Sequence, residues 1–133
     1  MAPVLDRIDH VHVYVADREA SERWYESVLG FIRIPELAFW SPEGGPLTIG
    51  NPSGSVHIAL FERPAEKCRS TVAFGASATE FLTWITYLQK VLDRPMQAVD
   101  HEVSWSLYFS DPDANPFEIT SYEYAALASQ LRR

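Results

Sequence analysis

The order of elements in this chain occurs twice, and that repeat restricts the possible folds more than any other feature. Residues 8–15 alternate, with Val11, Val13 and Val15 on one side and Ile8, His10, His12 and Tyr14 on the other. Alternation with period two is a strand with one aliphatic face and one polar, aromatic face. Asp17 then stands where an N-cap belongs, Ala20, Trp24, Tyr25, Val28 and Leu29 form one helical stripe, and Gly30 supplies the stop. Short apolar pieces follow at 31–34, 37–40, 47–50 and 55–62. Separated by SPEGGP and GNPSGS, they read as antiparallel strands joined by turns.

The second half runs through the same order. A strand at 70–75 precedes a helix opened by the capping pair Ser77 and Glu80, whose stripe is Phe81, Ile85, Leu88 and Leu92. Strands are expected near 96–99, 103–110 and 116–121, and a short terminal helix from Tyr122. Each half is therefore β-α-β-β-β, giving an α+β domain over 5–124 with modules at about 5–63 and 69–124 and a helical tail at 125–133. An offset of about 61 residues puts Thr71 in the place of His10 and Glu118 in the place of His57.

Composition supports one packed domain: the chain has 133 residues, 47% of them hydrophobic and 13% aromatic, enough for a core and too apolar for disorder. The net charge is −7, with Lys and Arg scattered, so neither nucleic acid nor an anionic membrane is an expected partner. No apolar run approaches the roughly 18 residues of a membrane span, and nothing resembles a secretory leader, which makes the cytoplasm the expected location. Cys68 is the single cysteine, so disulfides and thiolate-rich zinc sites are excluded and any metal must take nitrogen and oxygen ligands. It lies beside Lys67 and Arg69 in a stretch that reads as a linker.

Two strands carry a polar residue where it is costly. In VHIALFE, His57 lies on the face opposite Val56, Ile58 and Leu60; Glu118 likewise lies opposite Phe117 and Ile119. A carboxylate in the middle of a short apolar strand needs a partner, solvent or a metal.

The segments IDHVHVYVADREASERWYESVLGF and SLYFSDPDANPFEIT resemble the first strand-helix unit and the last strand of vicinal oxygen chelate proteins. That superfamily includes glyoxalase I, fosfomycin resistance enzymes, extradiol dioxygenases and bleomycin resistance proteins, and the resemblance spans about residues 5–124. It implies paired βαβββ modules forming a curved mixed sheet around a cavity, with metal ligands on the first and last strands of the modules. On this resemblance His10 is the first-strand histidine, His57 takes a position that is glutamate in glyoxalases, and Glu118 is the last-strand glutamate. The fourth position, often histidine, is Thr71.

Two histidines and one carboxylate suit Fe2+, Mn2+, Ni2+ or Zn2+. A His-x-His pair on a strand can itself chelate zinc, so His12 stands as an alternative to His10. His101 and Tyr108 are candidates for proton transfer, because their spacing to Glu118 resembles the extradiol signature, although its glycine is Ala114 here. His12, Tyr14, Phe39, Trp40, Thr71 and Trp105 are the expected lining of a pocket for a planar or hydrophobic ligand. The DPDAN turn is explained by Asp and Asn bonding their own backbone.

The implied function is a metal-dependent enzyme acting as a Lewis acid on a small oxygen-chelating substrate, of dioxygenase, lyase or isomerase type. The competing expectation is a metal-free protein, like the bleomycin resistance proteins, that sequesters an aromatic or drug-like ligand. A homodimer is expected in either case.

Overall fold

The computed structural model describes residues 1–132. The opening alternation folds as β1 (Val11–Val15), with Val13 and Val15 buried and His12 and Tyr14 on the opposite face. Ile8, Asp9 and His10 precede the strand and are exposed. The Asp17 carboxylate accepts a 3.1 Å hydrogen bond from the Ala20 amide and starts α1 (Arg18–Leu29). Gly30 ends the helix at φ 72°, a left-handed conformation that costs little only without a Cβ. Ser21, Tyr25, Val28 and Leu29 form the buried stripe, while the expected Ala20 is exposed.

β2 (Ile32–Arg33), β3 (Leu47–Gly50) and β4 (His57–Glu62) complete a sheet of order β1-β4-β3-β2, in which β1 and β4 are parallel and the other pairs antiparallel. The strand expected at 37–40 is instead part of a 3-10 helix, Pro35–Trp40. Pro35 fixes φ at the first turn and needs no amide partner, and the Leu37 and Ser41 amides close three-residue steps onto Ile34 and Ala38.

The second unit repeats the pattern. β5 (Val72–Gly75) leads to α2 (Ala78–Val91), capped by the Ser77 hydroxyl, which accepts from the Glu80 amide at 3.2 Å. Phe81 and Leu88 are fully buried; Ile85 and Leu92 are half-buried. β6 (Val99–Asp100), β7 (Trp105–Ser110) and β8 (Pro116–Ser121) follow, in the order β5-β8-β7-β6 with β5 and β8 parallel. The strand expected near 96–99 is reduced to its last residue, since Met96 is buried and its amide donates to the Gln89 side chain. The terminal helix is α3 (Tyr124–Leu131), and Arg133 of the expected tail lies outside the described residues.

The α+β class and the paired βαβββ modules are therefore present, each module with its own four-stranded mixed sheet. The chain divides into two compact units, Met1–Lys67 and one beginning at Cys68. Their registers differ. Val11 stands opposite Ile58, so His10 lies one rung earlier at the level of His57; Val72 stands opposite Phe117, so Thr71 falls level with Pro116 and Ala73 faces Glu118. The single offset expected from the sequence thus fails by two residues in one strand. A two-residue slip leaves every side chain on its own face, so alternation alone cannot detect it. Among the described residues no helix is long and apolar enough to cross a membrane.

Candidate functional site

In the first unit, the face of the sheet turned away from α1 carries a pocket of about 300 Å³. Asp9, His10, Thr48 and His57 supply its polar lining and Leu37, Trp40, Pro46 and Ala59 the apolar part. The parallel pairing of β1 with β4 brings His10 level with His57. Gly50 is opposite His57, where an added Cβ would lie 2.5 Å from the Val56 carbonyl oxygen and 3.1 Å from the His57 ring. Glycine is required there chiefly by the close approach of the Val56 backbone, and a side chain would also crowd the imidazole.

The Asp9 carboxylate is 2.9 Å from Nδ1 of His10, and this hydrogen bond is the main reason its pKa lies below the usual carboxylate value. An ionised carboxylate only accepts, so the proton sits on Nδ1. In the neutral ring the lone pair is then on Nε2. A carboxylate holding the far nitrogen of a histidine is the usual support of a metal-ligating imidazole. Nε2 of His10 lies 3.2 Å from Nε2 of His12, whose ring packs against Phe61 at 4.7 Å between centroids.

In the second unit, Glu118 is half-buried on the face of β8 away from Phe117 and Ile119, as its alternation requires. The buried Ser106 hydroxyl is 2.6 Å from Glu118 Oε2 and 3.1 Å from the Thr120 hydroxyl. Tyr108 is directly opposite Glu118, and its hydroxyl is 2.8 Å from Nε2 of His101. The turn that presents His101 passes through Glu102 at φ 70°, with the Glu102 amide held by Asp100. His101, Tyr108 and Glu118 thus share one neighbourhood.

The expected pocket residues have different surroundings within their own units. Trp40 lines the first unit's pocket, whereas Phe39 is 69% exposed and rests on Trp40 from outside. His12 and Tyr14 share their face of β1 with Phe61 and are not among the lining residues. Thr71 is exposed before β5. Trp105 is buried with Leu107 and Phe109, stacked on Tyr124 of α3 and donating to its carbonyl; it is a packing residue on the face opposite Glu118. Asp9, Thr48 and Ser106 were missed. The Asp-His dipeptide at the mouth of a strand was the available signal for Asp9.

The sequence model of the Glyoxalase/Bleomycin resistance protein/Dioxygenase superfamily matches residues 7–119. The chain belongs to this superfamily. Virulence protein STM3117 of Salmonella typhimurium is 29% identical over 131 residues, spanning 90% of this chain and 86% of that protein. Its crystal structure superposes with a TM-score of 0.62 and 23% identity, covering 90% of this chain and 99% of that one. A glyoxalase family protein from Bacillus anthracis gives a TM-score of 0.73 at 20% identity, over 92% and 100% of the two chains. A genomically encoded fosfomycin resistance protein from Listeria monocytogenes gives 0.67 at 16%, over 93% and 99%.

The glyoxalase superfamily includes metal-dependent enzymes, and the first unit's donors fit half of such a centre: two imidazoles on one pocket, one of them braced by a carboxylate. Among the described residues no three or more His, Cys, Asp or Glu side chains gather closely enough to hold an ion.

Proposed function

We propose that this superfamily member is a divalent-metal-dependent enzyme acting on a small organic substrate, with His10, His57 and Glu118 as metal ligands. The observation that supports it most is the Asp9-His10 pair sharing a pocket with His57. Simple sequestration of a ligand has no use for a braced imidazole. A bound Fe2+, Mn2+, Ni2+ or Zn2+ ion would supply Lewis-acid polarisation of two substrate oxygens. Leu37, Trp40 and Pro46 would exclude water from the apolar part of the ligand, and the Thr48 hydroxyl would orient a polar group. His101 and Tyr108 are proposed to move a proton, the phenol and imidazole exchanging it across their 2.8 Å contact.

One observation favours a second reading, a metal-free protein that binds an aromatic or drug-like molecule: no complete cluster of three ligand side chains is gathered among the described residues. Both readings carry a homodimer in the cytoplasm.

Metal analysis separates them. Protein purified without an affinity tag is expected to bind one of the four ions stoichiometrically, and His10→Ala, His57→Ala and Glu118→Ala each to weaken binding by at least about 10-fold while the far-UV spectrum is unchanged. Refusal of all four ions by the unmodified chain would overturn the enzyme reading in favour of sequestration.

A further inference from the structure

The turn that joins β6 to β7 presents His101, and it is tied to the terminal helix through one side chain. Asp100, the last residue of β6, accepts from the Glu102 amide at 2.8 Å, from the Tyr124 hydroxyl at 2.8 Å and from the Arg132 guanidinium at 2.7 Å. Tyr124 is the first residue of α3 and Arg132 its C-cap, so both ends of that helix close on a single carboxylate. Arg132 also bonds the Tyr124 hydroxyl, and its guanidinium carbon lies 5.9 Å and 5.5 Å from the centres of the Trp105 and Tyr124 rings. An exposed ion pair standing alone holds little, whereas a carboxylate shared by three donors is held in one orientation.

What this network fixes is the turn itself. Glu102 has φ 70°, a conformation that an L side chain takes only at a cost, and its amide bond to Asp100 offsets part of that cost. His101 lies between these two residues, its own amide donating to the Ser104 carbonyl at 2.9 Å and its Nε2 lying 2.8 Å from the Tyr108 hydroxyl. The imidazole is exposed, so its place beside the phenol depends on the backbone of the turn rather than on a packed wall. We infer that α3 braces the His101–Tyr108 pair: Arg132 and Tyr124 are positioning residues that, through Asp100, keep the turn in the conformation that brings the imidazole to the phenol. The inference rests on the proposed function only in giving that pair a proton-transfer role. The brace is built wholly from side chains of the second unit.

The test reads the nuclear Overhauser effect between the His101 and Tyr108 rings in metal-free protein, with the effect between the stacked Trp105 and Tyr124 rings as the marker that α3 is still docked. Arg132→Met keeps the apolar stem and removes the charge and the donors; it is expected to lose at least about half of the His101–Tyr108 intensity and to keep the marker. Arg132→Lys returns a cation and is expected to recover part of the loss. Asp100→Ala, which leaves α3 unaltered in sequence, is expected to lose as much as Arg132→Met. Full intensity in either Arg132→Met or Asp100→Ala overturns the inference, and so does a loss that Arg132→Lys leaves wholly unrestored. If Arg132→Met loses the marker as well, Tyr124→Phe, which keeps the ring on Trp105 and removes the hydroxyl, decides in its place: a weakened His101–Tyr108 effect supports the brace and an unchanged one overturns it. A brace that behaves as stated in a protein that takes up none of the four ions leaves the inference standing and the metal reading failed. Metal uptake with a His101–Tyr108 effect indifferent to every variant does the reverse.

Discussion

A carboxylate one residue before a histidine at the mouth of a strand fixes the tautomer of the neutral ring and the direction of its lone pair together. At Asp9 the cost is small, because the residue lies outside the strand and its carboxylate stays in water. Replacing Asp9 with Ala should lower metal affinity about 10-fold without altering which residues bind, measured in the same titration as the ligand variants; undiminished affinity would show the bond to be incidental. The faces of His57 and Glu118 were legible because strand alternation isolates a polar residue among aliphatic ones, whereas His10, which precedes its strand, was singled out by the family resemblance. Asp9, Thr48 and Ser106 were not, since Asp, Ser and Thr are ordinary at strand ends and on solvent faces, and only the folded register reveals what they touch. Ala114 was flagged as standing where the family pattern has glycine, and it has φ 66° in a turn held by Asp111, whose carboxylate accepts from the Asp113 and Asn115 amides at 2.9 Å. Ala114→Gly should therefore stabilise the protein by about 0.5–1 kcal/mol, read from the urea midpoint. A lowered midpoint would mean that the turn tolerates the side chain at no cost.

Among elements, both long helices were readable to the residue at their starts, because a cap is a local chemical event: Asp17 and Ser77 each satisfy an amide three residues on. The 3-10 helix Pro35–Trp40 was misread because four consecutive apolar residues have no period to measure. β6 was expected too early because the Met96 amide is taken by the Gln89 side chain, a contact that local sequence does not show. What the sequence did not reveal at all is how α3 is fastened. Arg132, at its C-terminal cap, reaches Asp100 of β6 at 2.7 Å and bonds the Tyr124 hydroxyl, while Tyr124 and the Glu102 amide also donate to Asp100. These donors, Arg132 first, hold the Asp100 carboxyl down to about 2, well below the usual carboxylate range. A depressed carboxylate contributes stability that is complete above its unfolded pKa and is lost as pH falls through the folded one. Asp100 is exposed to solvent screening, so the effect is modest in size but defined in position. Between pH 4 and pH 2 the melting temperature of wild type should fall more steeply than that of Asp100→Asn; parallel curves would show that the fastening contributes nothing.

For the whole molecule, the twofold βαβββ order was legible from the recurrence of strand, capped helix and short strands, whereas the register between first and last strands was not, since long-range pairing leaves no mark in local sequence. The chain also keeps large apolar side chains at its surface, among them Ile32, Phe39, Val103 and Tyr122. Sedimentation at tens of micromolar is expected to show a dimer, and a monomer at that concentration would refute the expected homodimer. The parallel ladder that joins the first strand of each unit to its last has a further consequence, for the order of events during synthesis. β1 emerges from the ribosome as an unpaired strand and meets β4 only when residues roughly 45 positions later have been made, and β5 waits similarly for β8. At about 5–20 residues per second, that is an interval of a few seconds in which α1 can form but its sheet cannot close. His10 and His57 are brought level by the last pairing of their unit, so the half-site they form is among the final things the nascent unit acquires.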